Sequence, residues 1–383
     1  MKKRLSPIAI ALAGAAATVA TPGMAATAKQ SSFDTLADGR EVRAVTLTNA
    51  KGVSATVISY GASLQSVIMP DRTGKRADVM LGYSKISDYV DKPQYFGATV
   101  GRFANRIAKG QWRIDGTAYQ SPVNNGLNSL HGGTNGFDKV LWSVTTVKSG
   151  PTASVMLRYV SRDGDMGYPG TMTIDATYLL DEANTLRIEY HATTDRATIA
   201  NITNHAYWNL SGEGSANGAM GHVVTIPADT YLPTDAGSIP TGEFRPVKGT
   251  AFDFRTPHVV GDRVRDATDE QMVFARGYDH NWVIRRSVTP SEHLMAKVSD
   301  PASGRGFELW SNQPGLQFYS GNFFDATSSG KAGRIYRMGD AIVMEPQIFP
   351  DTPNQSKFGT ARLDPGQSYT NVMTYHLTTG QAK

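Results

Sequence analysis

The chain has 383 residues, no cysteine and a formal net charge of +4 at pH 7. Without cysteine there are no disulfides, no lipidated N-terminal Cys and no thiolate metal site, and the fold is indifferent to the redox state of its compartment. The small positive balance comes with no cluster of Lys and Arg interleaved with aromatics, which excludes nucleic acid as a partner.

Residues 1–25 read as an export signal. Lys2, Lys3 and Arg4 form a positive n-region, residues 7–20 are an Ala-rich apolar run, and Gly23-Met24-Ala25 suits cleavage. The run is short for a membrane span, which needs roughly 20 residues, so no stable membrane association is expected. Removing the three cations of this segment leaves a net charge of +1. The expectation is a periplasmic or secreted protein. Its mature part, residues 26–383, reads as one domain, because no Ser/Gly-rich or Pro-rich linker divides it.

The mature part reads as strands. It is rich in Gly and Pro, and its apolar runs are short and bounded by turn signals. Residues 45–48 and 53–60 flank the turn Asn49-Ala50-Lys51-Gly52 as a hairpin. Residues 111–114 and 117–120 flank Asp115-Gly116, a strong two-residue turn signal. Residues 155–160, 171–180, 185–192 and 221–227 continue the pattern, while residues 85–90 and 265–272 each suit one short helix. The predicted fold class is all-β: antiparallel sheets, two or more, packed face to face.

Familiar catalytic signatures are absent: no Walker loop, no His-Glu-x-x-His, no Gly-x-Ser-x-Gly. Asp163-Gly164-Asp165 lacks the bidentate Glu of a calcium loop and reads as a turn. What stands out is the stretch 201–212, where Asn201, Asn204 and Asn209 crowd around His205, Tyr207 and Trp208. Histidine titrates nearest neutrality, and buried amides need partners, so a segment this polar suits a wet cleft better than a dry core. Further polar residues stand at the edges of predicted strands: Asn105, Arg106, His131 beside Gly132-Gly133, Asp279, Gln317 and Glu345. Glycines at 132 and 133 would let backbone approach a ligand. Glu345 ends an apolar run, where a carboxylate either lies at a strand end in water or is held there for a purpose.

Together these segments resemble the aldose 1-epimerase (galactose mutarotase) family. The resemblance rests on residues 101–110, residues 128–133 with Gly136-Phe137-Asp138-Lys139 and Trp142, residues 203–210, residues 277–281, and Glu345-Pro346-Gln347 with Pro350-Asp351, all in order. Gln367 departs from the Glu expected in the closing Pro-Gly signature. The resemblance implies a large antiparallel β-sandwich of the galactose mutarotase-like supersandwich type. It also implies a catalytic set of His205 as general acid and Glu345 as general base, joined by His131. Asn105, Arg106, His131, Tyr207, Asp279 and Gln317 fall where the family contacts sugar hydroxyls.

The implied reaction interconverts the α and β anomers of a free aldose. A base takes the C1 hydroxyl proton while an acid protonates the ring oxygen, and the opened chain recloses on its other face. One carboxylate and one imidazole suffice, so no cofactor and no metal is expected. The partner is a small-molecule aldose, and the protein is a monomer or homodimer. This division of labour predicts an ionised Glu345 and a protonated His205 in a partly solvated cleft. A non-catalytic carbohydrate-binding sandwich, a glycoside hydrolase using Asp279 with Glu345, and a hexose-6-phosphate mutarotase drawing on Arg102 and Arg106 are the competing readings.

Overall fold

The computed structural model describes residues 25–380. The expected export signal therefore lies, apart from Ala25, outside the described residues. Among those described, no helix is long and apolar enough to cross a membrane. Antiparallel strands dominate, and the turn chemistry places them where the sequence suggests. Glu41–Thr48 pairs with Ser54–Ile58, and Gln111–Ile114 pairs with Thr117–Gln120 across Asp115-Gly116. The first short helix forms at Ile86–Asp91. The second lies later than expected, at Glu270–Ala275, because Asp269 caps it by accepting from the Gln271 backbone N–H.

Three sheets carry the architecture. A nine-stranded sheet runs in the order Ser143–Lys148, Thr152–Ser161, Met172–Asp181, Thr185–Thr194, Tyr369–Thr379, Arg305–Ser311, His293–Ser299, Val223–Thr225, His258–Val259. Facing it are a five-stranded sheet built from residues 27–78 and a six-stranded sheet, bridged to each other where Met80 meets Trp208. The six-stranded order is Tyr207–Trp208, Ile342–Gln347, Gly315–Tyr319, Asp279–Val283, Thr230–Leu232, Arg245–Pro246.

Strand alternation in the six-stranded sheet separates packing from chemistry. Trp208, Ile342, Met344, Leu316, Phe318 and Trp282 point into the main core against the nine-stranded sheet. The Trp208 ring lies 4.9 Å from Phe307 and 5.1 Å from Tyr375 of that sheet. The residues between them in sequence, among them Tyr207, Val343, Glu345, Gln317, Tyr319, Asn281 and Asp279, take the opposite face.

The asparagines of the central polar stretch do not line a wet cleft. Asn201, Asn204 and Asn209 are fully buried. Asn201 Nδ2 donates to the Ala104 carbonyl, Asn204 Nδ2 to the Gly97 carbonyl and Asn209 Nδ2 to the Asp340 carbonyl. Short strands and long connections leave backbone carbonyls without ladder partners, and buried side-chain donors supply them. Arg102 has the same task. Its guanidinium donates to the carbonyls of Pro169, Gly170 and Ser161 in the interior, so it is no phosphate site. Asp163-Gly164-Asp165 is a turn, with Gly164 in the left-handed region.

Two further histidines, neither lining the cleft, are buried neutral. His222 Nε2 accepts from the Leu210 backbone N–H, and His280 Nδ1 accepts from that of Asp279. Burial lowers His222 to about 4 and His280 to about 3. A lowered pKa means the unfolded chain takes up a proton the native state refuses. The stability each contributes is therefore full above the unfolded value of about 6.5 and lost as pH falls toward 4. His222→Gln should destabilise the protein most at pH 7, with the urea-midpoint difference from wild type shrinking steadily toward pH 4. A pH-independent difference would refute the neutral assignment.

Candidate active site

The cleft of about 940 Å³ opens over the polar face of the six-stranded sheet and is lined by Tyr95, Asn105, Arg106, His131, His205, Tyr207, Asp279, Tyr319 and Glu345, with the turn 235–239 at its rim. Glu345 comes from the interior of strand Ile342–Gln347, not from a wet strand end. His205 follows the two-residue strand Thr203–Asn204, which pairs with Thr99–Val100, and the His205 backbone N–H donates to the Ala98 carbonyl. This pairing brings the imidazole over Glu345, with Nε2 3.7 Å from Oε1.

The rings around His205 fix its plane. Tyr207 lies 4.9 Å away and Tyr95 5.6 Å, while His131 meets it edge-on at 5.2 Å. Tyr95 also lies against His131, 4.7 Å between centroids. No sequence pattern singled out Tyr95. Its signal was weak, an aromatic just before Phe96-Gly97 in a loop.

Asn105 and His131 hold one another. The Asn105 backbone N–H donates to His131 Nδ1 at 3.1 Å, and the His131 N–H donates to the Asn105 carbonyl. Both residues have φ in the left-handed region, at +64° and +51°, a strain that clusters at functional sites. Gly132 next to His131 does not serve a ligand. A Cβ there would come within 2.0 Å of the Gly101 carbonyl oxygen, so the glycine lets backbone approach backbone. Because His131 Nδ1 accepts, its proton sits on Nε2, making the ring a donor.

Asp279 is gripped from two sides. Gln317 Nε2 donates to Oδ1 at 2.8 Å, and Arg106 approaches Oδ2 at 3.7 Å while its Nε donates to Asn125. Gln317 is buried beside Asp279 and is not among the residues lining the cleft. The structure thus gathers every expected site residue, with Gln317 one layer beneath the rest.

His131, His205 and Glu345 each offer a ligand atom, all within 4.8 Å of one another. The donor set does not suit a metal. His131 Nε2 holds the ring proton as long as Nδ1 accepts from Asn105, so its lone pair is missing.

Burial reverses the expected charge state. Glu345 is 2% exposed and His205 5%. Desolvation, reinforced by nearby Asp279, pushes the Glu345 carboxyl well above the usual carboxylate range despite Arg106. Desolvation lowers His205 to about 4 and holds His131 well below the ordinary imidazole value. In the unliganded protein the pair shares one proton, and that proton sits on Glu345. The cleft is open, but its floor is desolvated, and the expectation of a charged His205 is corrected accordingly. Nitrogen NMR of the unliganded protein at pH 6 should find His205 neutral; a cationic ring there would refute the burial argument.

The chain is similar to known proteins of one family. The aldose 1-epimerase family model matches residues 43–376. The chain is 44% identical over 313 residues to the human galactose mutarotase, covering 82% of this chain and 87% of that protein. It is 34% identical over 342 residues to the aldose 1-epimerase of Escherichia coli K12, covering 89% and 96%. Among solved structures, the GalM/aldose epimerase homologue from C. elegans superposes with a TM-score of 0.78 at 33% identity, covering 87% of this chain and 97% of that one. The galactose 1-epimerase from Lactobacillus acidophilus gives 0.80 at 28%, covering 92% and 99%. With a family match over most of its length and such relatives, the chain belongs to the aldose 1-epimerase family.

Proposed function

We propose that this protein is an aldose 1-epimerase that interconverts the α and β anomers of free aldoses such as glucose and galactose. The observation that carries the reading is the Glu345–His205 pair, one carboxyl and one imidazole 3.7 Å apart at the floor of an open cleft. Ring opening needs a base at the C1 hydroxyl and an acid at the ring oxygen. Glu345 takes the first proton and His205 delivers the second. Closure on the other face runs the same transfers backwards, with neutral His205 as base and protonated Glu345 as acid. The tautomer that burial favours in the empty site is therefore the one the pair reaches after ring opening. Sugar binding brings hydroxyl dipoles beside the pair and moves its proton from Glu345 to His205. Asn105, Arg106, His131, Tyr207 and Asp279 hold the sugar hydroxyls, His131 as an Nε2–H donor and Asp279 as an acceptor. Gln317 acts by orienting Asp279. A hydrolase would need two free carboxylates, whereas Asp279 is already engaged by Gln317 and Arg106.

Glu345→Gln and His205→Asn should each lower the polarimetric mutarotation rate by about 10²–10⁴-fold, the usual worth of a positioned acid or base, with folding intact. The double variant should lose far less than the product of the two, since both serve one transfer. Near-normal activity in Glu345→Gln would place the base elsewhere. In wild type, kcat/KM should follow a bell in pH whose limbs are the reverse of the simple expectation. The acidic limb, near pH 4, reports the pair gaining a second proton on His205. The alkaline limb reports loss of the raised Glu345 proton.

We infer also that residues 1–25 direct export, from their charged, apolar and small-residue order. Terminal sequencing of protein isolated from its native host should give a mature N-terminus near Ala26 in an extracytoplasmic fraction. Full-length protein confined to the cytoplasm would end the proposal.

A further inference from the structure

Four polar side chains stand side by side on the cleft face of the six-stranded sheet. Glu345 and Gln347 alternate on one strand and so share a face. Gln317 lies directly opposite Glu345, and Asn281 directly opposite Gln317. Glu345 is 2% exposed, Gln317 3%, Asn281 1% and Gln347 0%. Part of a hydrogen-bonded chain is closed: Asn281 Nδ2 donates to Gln317 Oε1 at 3.4 Å, and Gln317 Nε2 donates to Asp279. There it stops. Asn281 Oδ1, both amide atoms of Gln347 and Glu345 Oε2 have no hydrogen-bond partner in the protein.

A glycine makes room for one of these groups. Gly315, on the strand between them, lies opposite Gln347. A Cβ at Gly315 would come within 2.3 Å of Asn281 Oδ1. The Asn281 carboxamide therefore lies over the glycine and leans toward Gln347. Buried polar groups are almost always satisfied by protein or by ordered water, and a buried water settles where two to four polar atoms converge. One donor, Gln347 Nε2, and three acceptors, Asn281 Oδ1, Gln347 Oε1 and Glu345 Oε2, are grouped on this patch of sheet.

We propose that Asn281 and Gln347 are positioning residues that hold buried water against Glu345 Oε2, and through it fix the carboxyl for proton transfer with the sugar. Neither lines the cleft, so neither touches substrate. Glu345 Oε1 faces His205; without a partner on Oε2 the carboxyl would be free to rotate away from the line of transfer. The inference rests on the acid–base reading of Glu345 given above.

Gln347→Met removes both amide atoms at similar volume. If Gln347 holds water on Glu345, kcat for mutarotation falls about tenfold to a hundredfold, the scale on which misplacing a reacting group is felt, with KM little changed. The alkaline limb of kcat/KM moves to higher pH, because ionised Glu345 has lost a donor. A merely structural amide does the opposite. Replacing unpaired polar atoms by apolar ones then raises the urea midpoint and leaves kcat and the alkaline limb where they were, which overturns the proposal. Wild-type protein without mutarotase activity would instead overturn the acid–base reading itself. Should Gln347→Met not fold, a crystal structure of the wild-type protein decides. Water bonded to both Glu345 Oε2 and a carboxamide of Asn281 or Gln347 supports the inference, and a dry patch overturns it.

Discussion

The molecule is arranged around a carboxyl and an imidazole buried together and sharing one proton. An ionised carboxylate at this depth would be costly, and an isolated imidazolium equally so. A neutral pair avoids both costs, and it stores the proton that a ring-opening reaction must move. Nε2 of His205 lies 3.7 Å from Oε1 of Glu345, close enough for the charge of one to bear on the other, and both groups face the cleft. The same burial makes both members of the pair difficult to ionise, raising the carboxyl and lowering the imidazole.

Holding such a pair needs a rigid base, and the packing supplies it. The strand that carries Glu345 turns Met344 and Ile342 into the main core, so the backbone beneath the carboxyl cannot shift without disturbing the sandwich. Tyr207 and Trp208 are neighbours with opposite tasks. The first lies beside His205, and the second packs against Phe307 and Tyr375 of the facing sheet. Around this base the chain makes many two- and three-residue strands. Their unmatched carbonyls are taken by buried donors. Asn371 bonds the Ile202 and Pro346 carbonyls, and Arg305 bonds those of Met69, Leu210 and Lys75. Much of the buried polarity of this protein is therefore scaffolding rather than chemistry.

That distinction explains how far the site could be read in the sequence. His205 and Asn204 are adjacent and equally polar, yet one faces the cleft and the other holds the Gly97 carbonyl. Likewise Arg102 and Arg106 belong to one motif, the first spent on interior carbonyls and the second poised beside Asp279. Residue type cannot separate these roles, because a carboxamide or guanidinium serves a backbone carbonyl and a hydroxyl through the same donors. Resemblance to a family named residues that the fold brings into or beside one cleft; polarity alone would have named their neighbours too.

Local sequence determined the elements whose causes are local. Asp115-Gly116 and the Asn49 to Gly52 turn fixed hairpins, alternation fixed which strand residues point inward, and positions 205 and 345 supplied an imidazole and a carboxyl. The tertiary structure alone decided the charge state of those two groups and their supports. Glu345 and His205 lie 140 residues apart in sequence, and their burial depends on sheets assembled from both ends of the chain. Desolvation is a property of the whole neighbourhood rather than of any residue, so the sequence could name the groups while only the fold could place their proton.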